Sequence, residues 1–349
     1  MNIDEKYIKR CIELAQNGLG TTYPNPMVGS VIVYDGKIIG EGWHKKAGEP
    51  HAEVNAVKSV KDKSLLKKAT IYVSLEPCSH FGKTPPCCDL IIANEIPNVV
   101  VGTVDPNEKV AGKGILKLIE AGANVTVGVL EEECNELNKR FFTFHQKKRP
   151  YIILKWAESQ DGFLAPEKIS EQDRKPIWIT NQYSRQLVHK WRTEEQAILV
   201  GTQTVVDDNP KLNARDWSGN NPVRVVIDQN NRIEENSFIF DESVKTIVFS
   251  NENTKPSRKN TQFEAIDFNN NIIPQILEVL YQNQIQSIII EGGRQTLQSF
   301  IDENLWDEAR VFVGKTSFLK GTKAPIISRK NSIKTNILSD ELIQIKNHD

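Results

Sequence analysis

"EPCSHFGKTPPCC", residues Glu76 to Cys88, carries three of the chain's five cysteines within eleven positions. That sulfur could serve as a disulfide staple, a structural metal clip or part of an active site. An odd total fits a disulfide framework poorly. The opening segment "MNIDEKYIKRCIELAQNG" predicts a helix, with Ile8, Cys11, Ile12 and Leu14 near one face. It lacks the uninterrupted apolar stretch of a signal peptide, and no apolar run approaches the roughly 20 residues that span a bilayer. A cytoplasmic location without membrane contact is therefore expected. In a reducing compartment, clustered cysteines bind metal or do chemistry.

Upstream stands "HAE", His51 to Glu53. Together the pieces read H-x-E, then P-C, eight residues, then C. Zinc accepts one imidazole and two thiolates and leaves a fourth position for water, whose pKa falls to about 7. His51, Cys78 and Cys87 supply that set. Residues two apart do not share a helix face, so His51 and Glu53 converge only if a helix end faces the metal. Pro50 suits a helix start, and Cys87 follows Pro85 and Pro86 at another. The H-x-E…P-C-x-x-C pattern is that of zinc deaminases, whose glutamate moves protons rather than binding metal. This chain departs from it in the cysteine spacing. Cys88 is an alternative ligand, but adjacent residues point in different directions, and Cys87 is preferred. Cys11 and Cys134 read as small buried apolar residues. A structural clip would want a fourth protein ligand, and His80 could provide one. Otherwise His44 and His80 read as ordinary loop histidines.

At 349 residues the chain exceeds the usual reach of one core, so two domains are expected. "VGSVIVYDGKIIGEGWH" predicts a hairpin turning at Asp35-Gly36. After it come the helix "PHAEVNAVKSV", strand "ATIYVSL", helix "PPCCDLIIANEI", strand "NVVVGTVD", helix "GKGILKLIEAG", strand "NVTVGVL" and helix "EEECNELNKRFFTFH". Strands separated by single helices predict a mainly parallel, helix-covered sheet. "QKKRP", Gln146 to Pro150, marks the boundary, giving domains 1–146 and 150–349. The second domain has strands "YIILKWA", "AILVG", "VRVVID", "TIVFS" and "SIIIEGG", a helix "NQYSRQLVHKWRTE", and no cysteine. It is a second α/β domain.

A net charge of -1 with dispersed Lys and Arg argues against a nucleic-acid partner, whose phosphates demand a basic face. "IIIEGGRQTLQSFI" runs from strand through a glycine pair into helix, a layout that offers backbone N–H groups to a phosphate. Alone it is as well explained by a tight turn. "TVVDDNPKLNAR" carries Asp-Asn-Pro turn chemistry and is either a site or a solvated loop.

"TTYPNPMVGSVIV", "HAEVNAV", "EPCSHFGKTPPCCDLII" and "VGTVDPN" closely resemble the deaminase half of the bifunctional riboflavin-biosynthesis deaminase/reductase family. The wide cysteine spacing is that family's version of the motif. "KWAESQDG", "WIT", "HKWR", "AILVGTQTVVDDNPKLNAR" and "EGGRQTLQSF" resemble its reductase half. The resemblance implies a cytidine-deaminase-like domain with one zinc and a dihydrofolate-reductase-like domain using NADPH. Their substrates would be phosphoribosylaminopyrimidines, and the protein a homo-oligomer, dimer or tetramer. Glu53 would move protons. By the same resemblance Asn25 holds the base, while Lys83, Asp105 and Asn107 meet the ribose phosphate. Asn25 between prolines is equally a turn residue, and Lys83 equally a solvated loop lysine. In the reductase half, NADPH would lie near Ala157, Trp178, Thr204, Asp208 and the run Gly293, Arg294, Gln295, Thr296, Leu297, Gln298 and Ser299. Substrate would meet Arg192, Leu212, Arg215 and Glu291. Two arginines suit a phosphomonoester because the guanidinium fork binds it bidentately. Lys155 and Asp208 are both candidates for orienting the sugar or supplying a proton. Gln160, Pro176 and Gln196 depart from the family's usual residues, and Pro176 removes a hydroxyl that could have met the sugar phosphate. Two other readings remain at this stage: a nucleic-acid base deaminase with an accessory domain, and a zinc-stabilised binding protein.

Overall fold

The computed structural model describes residues 2–81, 85–107, 111–167, 178–252 and 258–347. The chain divides into two compact units, Met1–Lys148 and Arg149–Asp349.

In the first unit α1 (Ile3–Ala15) leads into a hairpin of β1 (Gly29–Tyr34) and β2 (Lys37–Trp43). Asp35 and Gly36 both have positive φ, as the tight turn between right-twisted strands requires. Then follow α2 (Ala52–Ser59), β3 (Thr70–Leu75), α3 (Cys87–Ala93), β4 (Asn98–Thr103), α4 (Lys113–Glu120) and β5 (Asn124–Val127). The sheet order is β2-β1-β3-β4-β5. β1 runs antiparallel to both neighbours, and β3, β4 and β5 are parallel. Ile32, Ile71, Val73, Val99 and Val101 pack against Ala56, Val57, Ile91 and Leu118 from the helices. α2 lies directly on β2: a Cβ at Gly42 would meet Ala56 N at 2.6 Å. That contact sets where the start of α2 points.

The expected helix "EEECNELNKRFFTFH" is two helices, α5 (Glu131–Leu137) and α6 (Lys139–Lys147), broken at Asn138. The Asn138 side chain accepts from Met27 N and donates to Met27 O, both at 2.8 Å. Satisfying those two buried groups at the foot of β1 outweighs helical continuity.

The second unit is built on β6 (Tyr151–Glu158), β7 (Phe163–Pro166), α7 (Gln182–Glu194), β8 (Ala197–Gly201), α8 (Thr202–Asp208), β9 (Val223–Ile227), β10 (Thr246–Ser250) and β11 (Thr261–Ala265). It continues with α9 (Ile272–Gln282), β12 (Ser287–Ile290), α10 (Arg294–Asp302), β13 (Glu308–Val313), β14 (Gly321–Lys323), β15 (Ile333–Ile337) and β16 (Asp340–Lys346). Nine strands form one sheet in the order β11-β10-β9-β8-β12-β6-β13-β16-β15. The first seven are parallel; β16 and β15 are antiparallel additions at one edge. Central strands buried on both faces read as continuous apolar runs, as "YIIL" and "SIII" do. The five strands named from this half all form, while β7, β11, β13, β14, β15 and β16 have no counterpart in the sequence reading. β15, "IKTNI", is an exposed edge whose two isoleucines stand at its ends, with no alternating buried face between them. "TVVDDNPKLNAR", expected as a site or a solvated loop, opens inside a helix: α8 runs Thr202–Asp208, pinned by the buried Val205.

Candidate active sites

His51 is the N-cap of α2, yet its side chain makes no capping bond. The imidazole instead turns toward two sulfurs, with Nδ1 3.6 Å from Cys78 Sγ and 3.3 Å from Cys87 Sγ. Cys78 lies in the loop after β3, and Cys87 is the first residue of α3, as its preceding prolines predict. Its backbone N–H donates to Cys78 Sγ at 3.3 Å. The three ligand atoms lie within 4.8 Å of one another, the only such cluster among the described residues. The hydrogen bond with Cys87 and the neighbouring His51 hold the Cys78 thiol down at about 4, so a thiolate is ready for a soft cation. One imidazole and two thiols suit zinc. Glu53, 3% exposed in the first turn of α2, faces this trio, and burial pushes its carboxyl above the usual range. Cys88 is turned away: its thiol donates to Pro77 O and Gly114 O.

Around this centre Asn25 closes a turn through its N–H to Thr22 O and also points its amide inward. Its Nδ2 donates to His44 Nε2 at 3.1 Å, and His44 Nδ1 donates to Pro50 O. The His44 ring meets His51 edge to face, with centroids 5.3 Å apart. His44, read from sequence as a loop histidine, is thus a buried link between Asn25 and the ligand. Glu76 carries no motif signal in the sequence. Its buried carboxylate accepts from the backbone N–H of Asp105, Gly112 and Gly114, tying the loop after β4 and the start of α4 to the cysteine loop. Burial pushes Asp105 up to about 6, and its Oδ1 accepts from Asn107 N. Lys83 lies outside the described residues.

In the second unit Arg192 of α7 grips Glu291, at the end of β12, in a two-pronged pair of 2.6 and 3.1 Å. Lys155 of β6 stands 3.9 Å from the same carboxylate. Burial alone would raise Glu291, but Arg192 and Lys155 outweigh it and hold it down at about 2. Burial lowers Lys155 in turn, opposed by Glu291. Arg215 is exposed nearby, its backbone N–H bonded to the buried His189. Leu212 packs in the core with Val200, Val226 and Ile239, so only its backbone is left for a ligand.

The nominated cofactor residues divide. Gly293 has φ +63, and a Cβ there would lie 3.6 Å from Thr204 Oγ1 and 3.8 Å from Thr296 Oγ1. Two hydroxyls thus converge over a bare glycine where β12 enters α10, a cradle fit for a phosphate. Leu297 is core, Ser299 Oγ bonds Gln295 O, and Gln298 is bonded to Ile326. Ala157 packs partly buried in β6, Arg294 is exposed, and Asp208 ends α8 at the surface. Trp178, 59% exposed, stacks under the Arg185 guanidinium. Gln196 is tied to the start of β12, its Oε1 accepting from Gln286 N at 2.6 Å. Gln160 is exposed, its N–H donating to Thr316 O, and Pro176 lies outside the described residues.

Comparison with known proteins places these two sites in context. The sequence model described as "Cytidine and deoxycytidylate deaminase zinc-binding region" matches residues 1–103, and that described as "RibD C-terminal domain" matches residues 150–344. The chain is 43% identical over 315 residues to riboflavin biosynthesis protein RibD of Aquifex aeolicus, covering 89% of this chain and 86% of that one. It is 37% identical to Escherichia coli RibD, covering 89% and 87%. The crystal structure of a Thermotoga maritima diaminohydroxyphosphoribosylaminopyrimidine deaminase/5-amino-6-(5-phosphoribosylamino)uracil reductase superposes with a TM-score of 0.88 at 37% identity, covering 99% of this chain and 98% of that one. Acinetobacter baumannii RibD gives 0.85 at 31%, covering 99% of each. Fold and site define a class, a zinc-dependent deaminase joined to an NADPH-dependent reductase. Within that class the chain belongs to the RibD family, the bifunctional deaminase/reductases of riboflavin biosynthesis. The base-deaminase and binding-protein readings give way to it. No helix among the described residues is long and apolar enough to cross a membrane.

Proposed function

We propose that Met1–Lys148 deaminates 2,5-diamino-6-(5-phosphoribosylamino)pyrimidin-4-one at His51, Cys78, Cys87 and Glu53, and that Arg149–Asp349 reduces the product's ribosyl group to ribityl. The observation that carries this reading is the three-ligand cluster with Glu53 buried beside it. His51, Cys78 and Cys87 would hold the zinc, which when bound would lower the pKa of a water, and NADPH would be the hydride source for the second unit. Glu53 takes a proton from the attacking water and passes protons to the ring nitrogen and the departing ammonia. Its burial keeps competing water away, and the raised pKa suits a group that must both take and give. Asn25, held on one side by His44, offers its amide to the base, and Asp105, Asn107 and Lys83 take the ribose phosphate end.

In the reductase, Arg192 and Arg215 bind the phosphate and Glu291 holds Arg192 in line. Of the two proton candidates, Lys155 is favoured over Asp208: it is buried against Glu291, while Asp208 is exposed. Lys155 protonates the sugar ring oxygen as the ring opens to an iminium that keeps its N–H, and C1 of that iminium would take the hydride, giving the neutral amine. Thr204, Trp178, Asp208 and the Gly293–Ser299 turn hold the cofactor, with Ala157 beside the nicotinamide. The protein works in the cytoplasm as a homo-oligomer, a dimer or tetramer.

The test is to follow ammonia release and NADPH oxidation together. Glu53→Gln should retain one zinc per chain and lose about 10²-fold or more in deamination. A Glu53→Gln protein that deaminates at the normal rate would sink the mechanism.

A further inference from the structure

One face of α7 carries Arg185, His189 and Arg192, spaced four and three apart, and all three reach the same loop. Arg192 Nη1 donates to Asn213 O at 3.2 Å. The His189 ring accepts from Arg215 N, at Nδ1, at 3.2 Å. Arg185 Nε forms an ion pair with Asp216 at 2.8 Å. From the other side Ala214 N donates to Asn221 Oδ1 at 2.9 Å. Three successive backbone groups are therefore pinned, and the side chain left exposed is that of Arg215.

Among these contacts the one from His189 is the one made to the Arg215 backbone itself. Its ring is 1% exposed, so it does not itself meet a ligand. Its Nδ1 must carry a lone pair to accept from Arg215 N, which puts the remaining ring proton on Nε2, 3.6 Å from Asp216 Oδ2. Burial, followed by the charges of Arg192 and Arg215, holds the ring down at about 4, consistent with that neutral form.

We propose that His189 is a positioning residue of the reductase: by holding the Arg215 backbone on α7 it aims the Arg215 guanidinium at the substrate phosphate. This rests on the reading above that Arg192 and Arg215 bind that phosphate. The loop belongs to the long connection between α8 and β9, and without the His189 bond the Arg215 backbone would lose its tie to α7 and cost more to order on binding. The cost falls on substrate affinity rather than on hydride transfer.

The experiment compares wild type, His189→Ala, His189→Asn and Arg215→Ala, full length, on the phosphorylated reductase substrate and on its dephosphorylated form, with thermal unfolding alongside. His189→Ala should raise KM for the phosphorylated substrate about tenfold, leave kcat within about twofold, and leave KM for NADPH unchanged. The dephosphorylated substrate should barely register the change. His189→Asn, whose Oδ1 can take the place of Nδ1, should recover most of the loss. Equal losses on both substrates, or no recovery with asparagine, would overturn the proposal and leave His189 a packing residue. If Arg215→Ala loses the preference for phosphate while His189→Ala keeps it, the positioning role falls and the reading of Arg215 stands. If Arg215→Ala keeps that preference, both fall.

Discussion

Glu53 and Glu291 are both buried carboxylates, and their surroundings send them in opposite directions. Glu53 is pushed up by burial, while Glu291 is held at about 2 by Arg192 and Lys155 against the same burial. The first is suited to moving protons and the second to staying charged. A depressed folded-state pKa has a consequence for stability. The contribution of Glu291 is fully present above its unfolded value of 4.5 and is lost as pH falls toward 2. Glu291→Gln should therefore be less stable than wild type at neutral pH, by up to roughly 3 kcal/mol. The gap should close below about pH 4.5 in thermal unfolding of the full chain. His51, Cys78 and Cys87 were legible in the sequence because metal chemistry restricts residue type and local spacing. His44, Glu76 and His189 were not, because their partners lie on other elements and nothing in their neighbours' identity announces the contact.

The elements that carry the deaminase site are located by close backbone approach. A Cβ at Gly114 would sit 2.1 Å from Pro77 O, so α4 can start where it does only without a side chain there. Glu76 reaches the N–H groups of Gly112 and Gly114 across that contact. Gly114→Ala should push α4 off the cysteine loop and destabilise the first unit by about 1–3 kcal/mol. It should also reduce the zinc retained after dialysis while sparing NADPH oxidation on the deaminated intermediate. The hairpin, the crossover helices and most strands could be read from periodicity and turn chemistry. The break at Asn138 could not, since a helical pattern runs straight through it and only Met27, 111 residues away, accounts for it.

Two units with separate cores, one built around a thiol pair and the other around an Arg–Glu–Lys cluster, allow the two reactions to be lost independently. Cys78→Ser should lose zinc and ammonia release yet keep reduction of the deaminated intermediate. Arg192→Ala should do the reverse, with reduction falling about 10²-fold or more because the phosphate loses one of its two guanidinium partners. A single assay that follows both products decides this; loss of both activities in either variant would show the halves to be coupled.

The sequence alone determined the two-domain α/β plan, the residue types of the His–Cys–Cys cluster and the family to which the chain belongs. Those depend on local spacing, helix-start chemistry and short motifs, all of which act within a few residues. Tertiary structure decided how His44 and Glu76 brace the thiol site, why one helix is two, and which residues of "EGGRQTLQSF" converge on Thr204. It also decided that "HKWR" and "KLNARD" form one assembly. Each of those outcomes depends on where a buried polar group finds its partner, and that partner is fixed by the packing of distant elements rather than by neighbours along the chain.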